Sequence, residues 1–209
     1  MNRMWLVAFL PAAVAAGCAL TSKGKLLEVS WYTLELIQPG TANPQSAGPV
    51  LRLGYVHSGA DLGQRIAWGD GAYRMGFYEE RRWTERPAQF VTTALHRALF
   101  EAHAFRRASQ VTAPQLDIEV VSLQELRSPR AHAGRVALHV RLSGERELLD
   151  TTIVRDEPVR GGRFEDVVAA ISHALDDATN EVAERVEAAL CASPGVDGVT
   201  GASCHPSSP

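Results

Sequence analysis

Cys18 has more chemistry to offer than any other residue, because of what precedes it. Asn2 and Arg3 make a short positive head, residues 4–16 are an uncharged apolar run, and Ala15-Ala16-Gly17 puts three small side chains directly before the thiol. The run is shorter than the ~20 residues of a membrane-spanning helix. Head, apolar run and small-residue end together predict an export signal that is cut off. The cysteine directly after those small residues supplies a nucleophilic thiol at the point where the signal ends. A second concentration of interest is the stretch from Arg65 through Trp68, Tyr73, Tyr78, Arg81 and Arg82 to Trp83. Aromatic rings and guanidinium groups are the side chains that concentrate binding energy at protein contacts, and they stack on one another. Tyr73, Tyr78, Arg81, Arg82 and Trp83 are therefore candidates for a partner-contact surface, with Arg82 expected to reach solvent. Taken singly, each of these residues better suits a structural role, Trp68 and Tyr73 in the sheet and Trp83 at the strand-to-helix connection; it is the group that suggests a contact surface.

The remaining titratable groups point away from catalysis. There is no Gly-x-Ser-x-Gly, no His-Glu-x-x-His and no phosphate-cradling glycine loop. His96 and His103 share only one side of a helix loosely, and Asp176-Asp177 fit a solvated helix face. Cys191 and Cys204 are either a disulfide in an oxidising compartment or two free thiols. With His205 they lack the second ligand pair that zinc requires. No cofactor and no metal is expected.

Composition sets the outer bounds. The 209 residues are 45% hydrophobic and 22% charged, with a net charge of -3, ordinary values for a globular chain. Loss of Arg3 with the signal takes the charge to about -4, which offers no basic footprint for nucleic acid. No second long apolar run occurs. The chain divides into a signal over 1–17, a tether over 18–27, one domain over 28–192 and a Gly/Ser/Pro-rich tail over 193–209 that is expected to be disordered.

Within the domain, alternation predicts strands over 29–37 and 50–56, with a surface loop over 38–49. Residues 60–64 are expected to make one helical turn, capped by Ser58 or Asp61. Residues 65–68 and 72–78 flank Gly69-Asp70-Gly71 as a hairpin. Pro87 opens a helix in which Val91, Leu95, Ala98, Leu99 and Ala102 recur at helical spacing, and 105–111 is a short strand. Leu116, Ile118 and Val120 alternate and then slip in phase at 121–123, the mark of a bulge. With Val136, Leu138, Val140 and Leu142, and then residues 148–154, they form an antiparallel meander. A long final helix carries Phe164, Val167, Val168, Ile171, Leu175, Ala178, Val182, Val186 and Leu190 as one apolar stripe. Gly161-Gly162 is the turn into it. Helices with a single apolar stripe need a sheet to bury it, so a layered α/β domain follows.

Cys18 and its small neighbours resemble the lipobox of bacterial lipoproteins, in which the thiol receives a diacylglyceryl group and a peptidase cuts before it; the resemblance implies that the 18–27 tether is lipidated. Tyr32-Thr33-Leu34 soon after the lipobox is followed by Arg65-Ile66 and a hairpin. Tyr78, Arg82-Trp83, Pro87 and an amphipathic helix ending at Phe105 complete an order similar to the ABC-type transport auxiliary lipoproteins, the PqiC-like family. Trp68 stands where that family tends to carry tyrosine. The resemblance implies a three-layer α/β domain with a mixed, largely antiparallel sheet and two main helices, related to anticodon-binding and TolB N-terminal types. It also implies a non-enzymatic periplasmic subunit, held in the outer membrane, that works with an MCE-domain (MlaD-like) protein and an ABC permease and ATPase to move lipid between membranes. A homo-oligomer is open. Ala19 agrees with outer-membrane sorting, since inner-membrane retention reads an aspartate at that place. The competing reading is a lipoprotein that itself holds a lipid or small apolar ligand, which would need a sizeable apolar pocket.

Overall fold

The computed structural model describes residues 28–36, 48–103 and 105–192. Cys18, Cys204, the leader, the tether, the tail and most of the 38–49 loop lie outside the described residues.

The frame is built on one long strand, β6 (Gln115–Ser128). Leu116, Ile118 and Val120 are buried on one face, and the register slips between Val120 and Ser122. Val121 is thereby left half exposed, and Leu123 returns to the core. The phase slip in the sequence is thus a bulge, as expected. One edge of β6 starts the meander with β7 (Ala131–Ser143) and β8 (Glu147–Pro158), both antiparallel. The other edge takes two strands end to end, both parallel to it. These are β2 (Val50–Ser58) beside 115–120 and β3 (Arg65–Gly69) beside 124–126. β4 (Met75–Trp83) returns antiparallel to β3, and β1 (Ser30–Tyr32) lies parallel to β4. A two-residue β5 (Arg106–Arg107) pairs with the start of β2. The result is an open mixed sheet of eight strands, most of its ladder antiparallel because the meander strands are the long ones.

Two helices cover the apolar side. α1 (Pro87–Arg97) starts at a proline, whose missing N–H is no loss in a first turn, and continues as a π turn over Ala98–Ala102. α2 (Phe164–Cys191) buries Val167, Ile171, Ala174, Leu175, Ala178, Val182 and Val186. Each fully buried Val, Leu or Ile side chain among these is worth about 1.5–3 kcal/mol. The close seating of α2 depends on Gly134 in β7, where a Cβ would stand 2.4 Å from the Ile171 nitrogen and 2.6 Å from the Ala170 carbonyl carbon. α1 and α2 touch each other and share a single core with the sheet. This is the layered α/β class expected from the sequence.

Several local expectations need correction. Residues 60–64 make no helical turn: the Leu62 N–H closes a turn on the Gly59 carbonyl at 3.0 Å, and Ser58 is the last residue of β2 and not a cap. The first strand ends at Tyr32: after Thr84 N–H reaches the Tyr32 carbonyl at 2.8 Å, the chain turns so that Glu35 N–H meets Ser172 Oγ at 3.2 Å and Leu34 enters the core. Of 105–111 only Arg106 and Arg107 pair, since Phe105 N–H is drawn to the Leu99 carbonyl at the end of the π turn.

Candidate functional site

The β3–β4 hairpin is held from within its own turn. Asp70 Oδ1 accepts the N–H groups of Ala72, Tyr73 and Arg74 at 2.8, 3.0 and 3.0 Å. The Asp70 N–H donates to the Arg74 carbonyl at 3.0 Å. Gly71 supplies the one positive φ the turn needs, +78°. The backbone bonds, that of Arg74 first and Ala72 next, hold the Asp70 carboxyl below its ordinary pKa. The tip is therefore a fixed platform. It presents Tyr73, which is 99% exposed, and Met75, which is half exposed.

Further along β4 the ladder breaks. Arg65 pairs with Arg82, but Ala67 pairs with Phe77, so β4 bulges outward between them. At the bulge the Arg82 guanidinium turns back on its own strand, donating from Nη1 to Tyr78 O at 2.9 Å and Arg81 O at 3.0 Å. On the helix side the bulge gathers Tyr78 and Arg81 at the start of α2. The Arg81 guanidinium lies 4.4 Å over the Tyr78 ring and 3.9 Å over Phe164. Tyr78 and Tyr32 meet Phe164 edge-on, at 4.9 and 4.8 Å between centroids.

Beneath this aromatic cluster sits a buried carboxylate. Glu125 faces the core side of β6 and is 3% exposed. It accepts from Arg127 Nε at 2.8 Å, from the Tyr78 hydroxyl, and pairs with His132 Nε2 at 2.7 Å. The Arg127 guanidinium also contacts the Tyr78 hydroxyl and lies over the Trp68 and Tyr78 rings at 5.5 and 4.8 Å. Burial lowers the Arg127 pKa. A carboxylate taken out of water is tolerated only when paired and hydrogen-bonded, and Glu125 is both. The cluster fixes Tyr78 and, through it, the surface that Arg81 covers.

The structure sorts the sequence candidates into three groups. Tyr78, Arg81 and Arg82 are brought together, although Arg82 is spent on backbone carbonyls and does not stand free in solvent. Tyr73 is alone on the hairpin tip. Trp83 is fully buried and packs edge-on against Phe90 at 5.8 Å, so it belongs to the core and not to a contact surface. Sequence reasoning missed Glu125, Arg127 and His132. Their signal was present: a glutamate at the inward parity of a strand, two residues after the buried Leu123.

The other groups weighed in the sequence make no reaction centre. His96 contacts Arg107 through Nδ1 and packs on Phe100 at 5.3 Å, and burial first, then the Arg107 charge, lower its pKa. His103 lies 3.8 Å from Glu187. Among the described residues no group of three or more His, Cys, Asp or Glu could hold a metal ion. Cys191 closes α2; Cys204, its candidate disulfide partner, lies outside the described residues. A groove of about 230 Å³ between residues 33–36 and α1 is lined by Thr33, Leu34, Leu36, Glu85, Phe90, Thr93 and Arg97, smaller and more polar than ligand pockets usually are. No described helix is long and apolar enough to cross a membrane.

Fold and site thus define a layered α/β domain whose concentrated chemistry is a surface of rings and guanidinium groups over a buried ion cluster. The family model described as "ABC-type transport auxiliary lipoprotein component" matches residues 32–183, and the chain belongs to that family. It is a family of transport auxiliary lipoproteins, not an enzyme family. No curated protein matches the chain. Among solved structures it is similar to a Xanthomonas campestris protein of the DUF330 family, at 18% identity and TM-score 0.63, over 78% of this chain and 97% of that one. An uncharacterized protein matches at 12% identity and TM-score 0.58, over 76% and 99%. A hypothetical protein of Chlamydia trachomatis matches at 10% identity and TM-score 0.51, over 70% and 100%. At these identities the likeness is one of fold.

Proposed function

We propose that this chain is a non-enzymatic lipoprotein, acylated at Cys18 and held on the periplasmic face of the outer membrane. There it serves an ABC/MCE-type system that moves lipid between the two membranes. Membership of the auxiliary lipoprotein family, matched over residues 32–183, carries the reading, and the small-residue approach to Cys18 supports the anchor. Its partners are an MCE-domain protein and the ABC permease and ATPase. The patch offered to them is centred on Tyr78 and Arg81, kept in place by Arg82 and Glu125. A cluster whose rings and charges are already fixed loses little freedom on docking, which favours recognition by this patch. No observation favours the chain as a lipid carrier in its own right.

The anchor is tested by Cys18→Ser. A hydroxyl does not replace the thiolate in the lipidation step, so the variant should stay an unprocessed precursor without palmitate label; normal labelling overturns the reading. The partnership is tested by co-purification of the acylated protein with the MCE protein, which Arg81→Glu should abolish while the wild type is retained.

A further inference from the structure

The strand directions collect one set of groups at one end of the molecule. β3 runs parallel to β6, and Gly69 lies beside Leu126. The β3–β4 tip therefore stands next to the β6–β7 turn, where Ser128 pairs with Ala131. β8 ends at the same level, with Val159 N–H on the His132 carbonyl at 3.0 Å, and leads straight into the start of α2. This end carries Tyr73, Arg74 and Met75 on one turn, Arg130 on the next, and Arg160 and Arg163 on the third, all exposed. The Arg160 and Arg163 side chains are 83% and 78% exposed.

The acidic groups at this end are mostly turned inward or already engaged. Asp70 is used by its own turn, and Glu125 is buried with Arg127 and His132. Asp166 accepts the Arg163 N–H at 2.9 Å, and Glu157 meets Arg160 at 3.2 Å. Glu165, and Glu28 on the incoming chain, are exposed as well. What faces outward is therefore arginine set among carboxylates, Arg160 and Arg163 each beside one and Arg130 in no ion pair among the described residues, together with an exposed tyrosine and a methionine. Guanidinium groups pair bidentately with phosphate, and exposed tyrosine favours the headgroup level of a bilayer.

The direction of the incoming chain decides what covers this end. β1 is parallel to β4, with Ser30 beside Arg81, so the polypeptide reaches Ser30 from the side of the hairpin tip. The stretch from Cys18 to Ser30 spans at most about 40 Å, while the tip at Met75 stands only about four strand residues, or ~13 Å, beyond the level of Ser30. The chain reaches this end with slack.

We infer that the end bearing the β3–β4 tip, the β6–β7 turn and the β8–α2 connection rests on an anionic phospholipid surface, with its arginines on lipid phosphates and Tyr73 and Met75 at headgroup level. This deepens the proposed anchoring, and its test does not depend on acylation in the cell. The chain beginning at Cys18 is coupled through that thiol to maleimide-bearing lipid. The vesicles are either phosphatidylcholine alone or phosphatidylcholine with about 40% phosphatidylglycerol. Hydroxyl-radical footprinting then reads oxidation of Tyr73 and Met75, with the exposed Tyr55 as internal control. On anionic vesicles oxidation of Tyr73 and Met75 should fall roughly threefold or more, with Tyr55 unchanged, and the double variant Arg130→Glu/Arg160→Glu should lose that protection. Equal oxidation on both vesicle types, or protection of Tyr55 instead, overturns the orientation. Protection that persists on neutral vesicles or in the double variant assigns the contact to neighbouring copies of the chain and overturns the lipid contact. Failure of acylation at Cys18 in the cell would show in the palmitate test alone and would leave this outcome standing.

Discussion

Arg127→Met isolates the ion cluster under the aromatic surface. The substitution keeps an apolar stem and removes the guanidinium that meets Glu125 at 2.8 Å. The Glu125 side chain is 4% exposed and would keep His132 and the Tyr78 hydroxyl as partners, but it would lose its permanent cation. Removing one member of a fully buried pair costs about 3–5 kcal/mol, because the remaining charge is left in low dielectric. Here the departing side chain is 42% exposed, so water already screens part of the attraction, and about 2 kcal/mol is the reasonable figure. In a domain of this size that is a fall in Tm of roughly 4–8 °C, measured by circular dichroism on the chain from Cys18.

The second half of the cycle separates two causes. Adding Glu125→Leu to Arg127→Met removes the stranded carboxylate and fills its volume, so the double variant should melt above the single one. If Arg127→Met melts within a degree or so of the wild type, about half a kcal/mol or less, then Glu125 does not depend on Arg127 and the reasoning fails. If the double variant melts as low as the single one, the loss came from guanidinium stacking on Trp68 and Tyr78, and the carboxylate was never stranded.

Three further outcomes follow from single contacts. Gly134→Ala drives a Cβ to 2.4 Å from backbone of α2, which cannot rotate away, so unfolding in urea should show a loss of about 3 kcal/mol with α2 lifted from the sheet. Arg82→Glu should lower the Tm by several degrees, since it strips two bulge carbonyls of their donor at a cost of about 2 kcal/mol; an unchanged melt would mean that water takes over. His96 has a folded pKa below its unfolded one, chiefly through burial. The stability it contributes is therefore fully present above about pH 6.5, the unfolded value, and is lost as pH falls from there through the lower folded pKa. The Tm advantage of wild type over His96→Gln should accordingly shrink between about pH 7.5 and pH 5.5.

How much of this was legible depends on whether a feature is written by local pattern or by pairing across the chain. The α2 stripe repeats at helical spacing for seven turns, and the phase slip after Val120 is local, so both stood in the sequence as they stand in the fold. The hairpin was equally readable from Asp70-Gly71. The short β1 was not, because alternation in 29–37 reports which side chains face inward, and Tyr32, Leu34 and Leu36 do. It does not report where ladder hydrogen bonds stop. Burial of the alternating side chains continues after Tyr32, but the partner backbone has turned into α1.

Trp83 and Glu125 are the instructive pair. Residue type alone misleads at both: an aromatic beside two arginines suggests a contact surface, and a glutamate in a polar-looking stretch suggests solvent. Parity along the strand overrules type for Glu125, and the bulge in β4 overrules simple alternation for Trp83. Counting from the buried Leu123 puts Glu125 inward, opposite Gly134, which has no side chain to shield it. Its partners come from Tyr78, 47 residues earlier, and His132, 7 residues later. No local window contains all three, so the cluster could not be assembled from sequence, although the anomaly that announces it, an acid on the apolar parity of the longest strand, could have been. The β4 bulge completes the explanation for Trp83. Without it, simple alternation from Tyr78 would place Trp83 on the opposite face; the residues inserted between the Ala67–Phe77 and Arg65–Arg82 pairs let both rings turn toward the helices. The Arg82 contacts fall in the same stretch, so one irregularity in β4 accounts for the buried tryptophan, the tethered arginine and the half-buried stacking of Arg81 on Tyr78.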